Sequence, residues 1–229
     1  MIKIKKRFQI GFIVFLLIVL IPVIAEVVHF VRRTIRISDH IHSSYGKIDY
    51  SINHVTYPRS FAGCQCGTLT AFNFEQIKTE RFMLHDTTYD FDFMVYVNDF
   101  SCEDDYLEHF RGKKIKNSMS DKIFFPDNCS VECFEIFVIQ DKQTSMQSPS
   151  VEAEELRNIE DSMYVLSLQN GIKSNTKIDL TIKMTGDSKA ARSAFAEVYN
   201  YLCTISKDVS LYNCQINNVY CDRNMFSVD

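Results

Sequence analysis

Apolar residues run unbroken from Ile10 to Ala25 apart from Gly11 and Pro22, and Val27, Val28, Phe30 and Val31 extend the run past Glu26 and His29. As a helix, the 22 residues from Ile10 to Val31 span about 33 Å, enough for a hydrocarbon core of roughly 30 Å. Lys3, Lys5, Lys6 and Arg7 precede this run with no acid among them, and Arg32, Arg33 and Arg36 follow it. That flank predicts a cytoplasmic tail over 1–9, a transmembrane signal-anchor helix over 10–31, and the remainder across the membrane. Two other readings start from the same residues. Val23-Ile24-Ala25 after Pro22 resembles a signal-peptide cleavage site, although Val23 and Ile24 are bulky for one. Gly11-Phe12 after a short basic leader gives a prepilin-like start, but the acidic residue expected a few positions into such a helix is absent.

Beyond a juxtamembrane stalk over 32–46, the pattern changes to alternation. Lys47 to Asn53, Thr68 to Phe74, Arg81 to His85, Tyr89 to Val97 and Cys133 to Ile139 read as strands, with Arg81–His85 as hairpin partner of the Gly63–Phe74 segment. Ser101 is placed to cap a short helix whose first turn holds Glu103, Asp104 and Asp105 and which Gly112 closes. Gln140 to Ser150 is polar and reads as a linker, dividing a first α+β lobe over 47–140 from a second over 151–229. In the second lobe, Val151 to Met163 reads as a helix and Tyr164 to Leu168 as the start of a strand. Thr176 to Met184 alternates, and Gly186-Asp187-Ser188 supplies turn and cap. Ala190 to Ile205 then carries an apolar face of Ala191, Ala194, Phe195, Val198, Leu202 and Ile205, before Val209 to Ile216 returns as a strand. The fold class expected is α+β: a transmembrane helix followed by an exported domain, with a hint of two similar strand-helix-strand lobes. Lys47-Ile-Asp-Tyr-Ser-Ile and Lys177-Ile-Asp-Leu-Thr-Ile share four identities, which coding bias toward Lys, Ile and Asp explains equally well.

Charge narrows the partners. Setting aside the four basic and one acidic residues of positions 1–31 leaves 21 Lys and Arg against 28 Asp and Glu, a balance of −7 that argues against nucleic acid and against an anionic membrane surface as partners. All eight cysteines, Cys64, Cys66, Cys102, Cys129, Cys133, Cys203, Cys214 and Cys221, follow the apolar run. An even count in an exported domain reads as disulfides. Cys64 and Cys66 on a strand share a face and so take different partners, Cys214 and Cys221 flank the Asn217-Asn218 turn and suit a bridge across it, and Cys203 on a helix suits a buried thiol. The spacings Cys64-x-Cys66 and Cys129-x₃-Cys133 fit zinc poorly, and no Cys-x-x-Cys redox motif occurs. Asn128-Cys129-Ser130 is a lone glycosylation sequon.

The remaining candidates have plain alternatives. Asp39-His40-Ile41-His42 could hold a metal if extended, but a solvated segment explains it as well. His85, with Asp86, Asp90 and Asp92, could supply a general base and its orienter, though no nucleophile motif accompanies it. Glu103, Asp104 and Asp105 lack the Gly-punctuated ligand pattern of a calcium loop. With 7 Gly and no Gly-rich turn after a strand, neither a dinucleotide nor a P-loop site is expected, and no cofactor is implied. The functional expectation is a non-catalytic protein-binding module, tethered by residues 10–31 to the bilayer and facing the periplasm of a bacterial inner membrane. Its partner would be a membrane-associated or periplasmic protein, and its role accessory, assembly, regulatory or toxin-neutralising. A periplasmic hydrolase using His85 and a pilus-like subunit are the alternatives.

Overall fold

The computed structural model describes residues 2–56, 79–120, 122–140, 148–172 and 176–221. It is a mixed α+β fold with two sheets and one long apolar N-terminal helix. That helix, α1 (Ile2–Tyr45), runs through Pro22 without a break. It is long and apolar enough to cross a membrane, a property a signal sequence shares. Its described large apolar side chains from Phe15 to Val31 are exposed. From Arg33 the helix acquires a second character, because Arg33, Ile37, Ile41 and Tyr45, four residues apart, are all buried. The segment read from sequence as a stalk is therefore a wall of the domain. A stalk and an amphipathic core helix are both uninterrupted helical patterns, and only the partner surface tells them apart.

That surface is the first sheet. Strands β1 (Tyr50–Thr56), β2 (Glu80–Asp86), β3 (Phe91–Val97) and β4 (Cys102–Asp104) pair antiparallel in chain order. Phe82, Leu84, Phe93, Val95 and Val97 alternate onto the buried face, where Phe30 of α1 meets Phe82 with ring centroids 6.5 Å apart. The segment Gly63–Phe74 and Cys64 and Cys66 lie outside the described residues. Arg81–His85 instead forms the middle of β2, paired with β1 on one side and β3 on the other.

The second sheet joins β5 (Cys129–Gln140) antiparallel to β6 (Thr176–Gly186), which lies parallel to both β7 (Asp208–Leu211) and β8 (Gln215–Ile216). Strand β9 (Val219–Tyr220) closes a hairpin onto β8. Asn217 and Asn218 both have positive φ, 51° and 63°, as a type I′ turn requires. Helix α5 (Ser188–Ile205) makes the β6–β7 crossover, and the six residues expected on its inner face are all buried.

Between the sheets lies α2 (Tyr106–Ser120), with α3 (Pro149–Asn158) and α4 (Asp161–Ser167) beside it; one π-helical turn, Leu168–Ile172, follows α4. Helix α2 runs straight through Gly112, which was expected to end it. A Cβ at Gly112 would lie 1.6 Å from the Ile136 carbonyl oxygen, so the glycine permits close approach to β5 rather than a stop. Around it the outer edge of β5 is capped. Lys116 Nζ donates to Phe134 O at 2.8 Å and Arg111 Nη1 to Val138 O at 3.4 Å, occupying carbonyls that another strand could otherwise pair with.

Four more expectations change. Strand β5, assigned to the first lobe, pairs along its length with β6 of the second, so the 141–150 boundary cuts a sheet; residues 141–147 lie outside the described residues. Tyr164 to Leu168 is helical, because its apolar positions pack Tyr164, Val165 and Leu168 inward at helical spacing. Val209–Ile216 is interrupted at Asn213, where φ is 54°. The two Lys-Ile-Asp segments are not equivalent: one enters an edge strand of an antiparallel sheet, the other is the central strand of a mixed one.

Candidate functional site

Three places gather chemistry. The first is the joint between α1 and the first sheet, which is more polar than the pattern foretold. Arg33 Nε lies 3.3 Å from Glu80 Oε2 with both side chains almost buried, and Arg33 Nη2 donates to Asp99 Oδ1 at 2.7 Å. His29 Nε2 sits 2.7 Å from Glu80 Oε1. Asn98 O accepts from Arg33 at 2.8 Å and from Arg36 at 2.5 Å. Farther along the helix, Asp104 meets His40 at 2.6 Å and accepts from the Tyr45 hydroxyl at 2.6 Å and from Tyr106 N at 2.9 Å. Burial first, and Asp104 next, push the Tyr45 hydroxyl well above its ordinary value, so it stays a donor. The helical path also separates His40 from His42 by about 200° around the axis, so the two do not share a face as an extended chain would arrange them.

The second place is the outer face around His85. Its Nδ1 lies 2.8 Å from Asp92 Oδ1 and its Nε2 lies 3.7 Å from Asp90 Oδ1. The structure thus brings together three of the four residues singled out. Asp86 goes the other way, into the core, where its carboxylate accepts from Thr88 N, Tyr89 N and the Tyr106 hydroxyl. Strand alternation forces that split. Both ring nitrogens of His85 face carboxylates, and Lys113 Nζ donates to Asp90 O at 2.9 Å, so the arrangement is a polar cluster in which neither ring nitrogen is aimed at a hydroxyl or thiol. Next to it a cleft of about 490 Å³ opens between β3, α2 and β5, lined by Asp92, Met94, His109, Lys116, Cys133 and Glu135 among others. Burial, then the nearby carboxylate of Glu135, raise the Cys133 thiol, which makes it a poor nucleophile. Among the described residues, no group of three or more His, Cys, Asp and Glu side chains is arranged to hold a metal ion. Glu103, Asp104 and Asp105, expected in a helix turn, are divided between β4 and the start of α2, and Asp105 accepts from Met94 N at 2.6 Å.

The third is the far hairpin. No disulfide forms among the described cysteines Cys102, Cys129, Cys133, Cys203, Cys214 and Cys221, which departs from the expected framework. Cys203 is exposed on α5 rather than buried. Burial first, then Asp104, push the Cys102 thiol up to about 11. Burial also takes Cys214 to about 11, and its Sγ donates to Leu180 O at 3.0 Å. Cys214 and Cys221 nevertheless stand opposite one another across the β8–β9 hairpin, with Cys221 N donating to Cys214 O at 2.9 Å. The same stretch exposes Tyr212 (70%), Val219 and Tyr220 (68%), side chains that a sheet normally packs away.

The chain has no significant match among protein-family models, curated proteins or solved structures. Of the residues that build these places, Glu80, Asn98, Asp99 and Asp104 were not foreseen as partners of α1. Nothing local to Arg33 marks it as buried, because its burial depends on a strand 47 residues later in the chain.

Proposed function

We propose that the chain is a membrane-tethered, extracytoplasmic protein-binding module, non-catalytic, with the N-terminus cytoplasmic and the domain on the periplasmic side. The single observation carrying this reading is the exposed aromatic hairpin, Tyr212 to Tyr220, on the sheet opposite the one that holds α1. Rigid aromatics at a sheet edge offer large contact area at small entropic cost. The partner is a membrane-associated or periplasmic protein. Photo-crosslinking from positions 212 and 220 in native membranes is expected to trap one and the same protein, and the yield should fall when Val219→Asp is added. Trapping nothing, or a different protein at each position, would defeat the assignment.

In an oxidising compartment the domain is proposed to carry a Cys214–Cys221 disulfide. The two residues face each other across the hairpin, Cys221 N donating to Cys214 O at 2.9 Å, and closing the bridge requires Cys214 Sγ to leave Leu180 O. Intact mass before and after reduction counts the bridges, and the same spectrum shows whether residues 1–25 remain.

A second reading is favoured by α1 itself. A helix that exposes apolar side chains along one half and builds a domain with the other must be covered by lipid or by copies of itself, so a pilus-like assembly subunit is the alternative. Cleavage after Gly11 in the mature protein would support it. The hydrolase reading retains only His85 with Asp90 and Asp92, and hydrolysis lost on His85→Ala would be its support.

A further inference from the structure

We infer that the β3–β4 turn is a second membrane contact: Phe100 inserts at the headgroup boundary beside the point where α1 leaves the bilayer. This rests on the transmembrane reading of α1. In that reading, the position of the turn follows from helix geometry. Asn98 O is held by Arg33 and Arg36, which lie about 3 and 7.5 Å beyond Val31 along the helix axis. The turn is thus pinned within roughly a helical turn and a half of the last exposed residue of the apolar run. On the opposite side of α1 at this level, Ile35 is still exposed.

The turn is also built to present one side chain. Asn98 Oδ1 accepts from Phe100 N at 2.8 Å and Ser101 N at 2.7 Å, and Asn98 Nδ2 donates to Ser101 Oγ at 2.8 Å. The closed polar loop leaves Phe100 projecting, 83% exposed. Its neighbour Asp99 carries a charge that opposes contact with a phosphate layer, and the Arg33 guanidinium at 2.7 Å, shared with Glu80, offsets it in part. Exposed Arg32 and half-buried Arg36 can reach headgroup phosphates from the same level. Both strand ends nearest the turn, Val97 of β3 and Glu80 of β2, stand at this end of the sheet, since Val97 pairs with Glu80 and Glu80 meets His29. In this reading the apolar tip flanked by arginines sits at the interface plane, as the apolar face of an interfacial helix does. With α1, it gives the domain two points of attachment and so a fixed tilt instead of free rotation about a tether.

The chain has no tryptophan, so a single substitution creates a sole fluorescent reporter. Three full-length variants in phosphatidylcholine nanodiscs test the proposal: Phe100→Trp, Phe124→Trp and Phe15→Trp. Phe124 is a matched control, 78% exposed in the loop after α2, on the side where Ser118 meets Tyr201 of α5. Lipids brominated high on the acyl chain should quench the position-100 reporter and shift its emission to the blue, leave position 124 bright and water-like, and quench position 15 most with bromines placed deep. Quenching at 15 but not at 100 overturns this proposal and leaves the span intact. No quenching at 15 removes both. Equal quenching at 100 and 124 means a domain lying on lipid without this contact, and a blue shift at 100 without quenching means protein covers it; either overturns the proposal.

Discussion

The two sheets hold their long helices by different physics. Helix α5 meets the second sheet through Ala191, Ala194, Phe195, Val198, Leu202 and Ile205, a wholly apolar face, and is started by Asp187, whose carboxylate accepts from Ala190 N at 2.8 Å. Helix α1 meets the first sheet through Ile37 and Ile41, but with buried Arg33 at one end and the Tyr45–Asp104 bond at the other. An apolar face is non-directional and tolerates small shifts. Buried ion pairs add little net stability over an apolar isostere, yet each partner is costly to leave alone, so they fix register and angle. A helix that only closes a core needs the first arrangement. Under the proposed membrane tether, a helix that holds the domain at a set angle gains from the second.

The comparison breaks first at Gly112. Because α2 is wedged between the sheets, Gly112→Ala should destabilise both together by about 4 kcal/mol or more, seen as the loss of one cooperative transition in detergent. Two separated transitions would mean the sheets are independent bodies. Next, Arg33→Ala and Glu80→Ala should each cost about 3 kcal/mol, whereas Arg33→Met with Glu80→Leu should return to within about 1 kcal/mol of the parent. Phe195→Ala, by contrast, should cost about 3 to 5 kcal/mol with no polar double variant to rescue it. If the Arg33 and Glu80 effects simply add, the joint is not coupled as described. A smaller effect belongs to the α5 cap: Asp187→Ala should lower stability by about 1 kcal/mol, and Asp187→Asn should restore most of it.

The smallest is a pH effect at the start of α2. Burial first, with help from Asp104 and Asp105, holds the Glu108 carboxyl above its ordinary range. The folded state therefore prefers the protonated acid, and stability contributed by Glu108 is present at low pH and lost as pH rises through its raised value. Glu108→Gln should accordingly gain in Tm relative to the parent as pH climbs from 4 to 7. A difference that stays constant across that range would show the carboxyl to be ordinary.

Local pattern determined a good deal. The apolar run, the alternation of β3 and β6, the face of α5 and the Asn217-Asn218 turn depend on neighbours within a few residues, and periods of 2 and 3.6 report them directly. The His85 group was legible as a cluster because Asp90 and Asp92 are close in sequence, but which carboxylate faced it waited on strand alternation. Long-range pairing decided the rest. That β5 joins β6 across the presumed boundary, that Gly112 is a contact point and not a stop, and that Arg33, Ile37, Ile41 and Tyr45 turn one face of the helix into the domain all depend on partners far along the chain. A helix pattern states that a face exists. Only the packed chain says what covers it, since burial belongs to pairs of surfaces and sequence spacing to one.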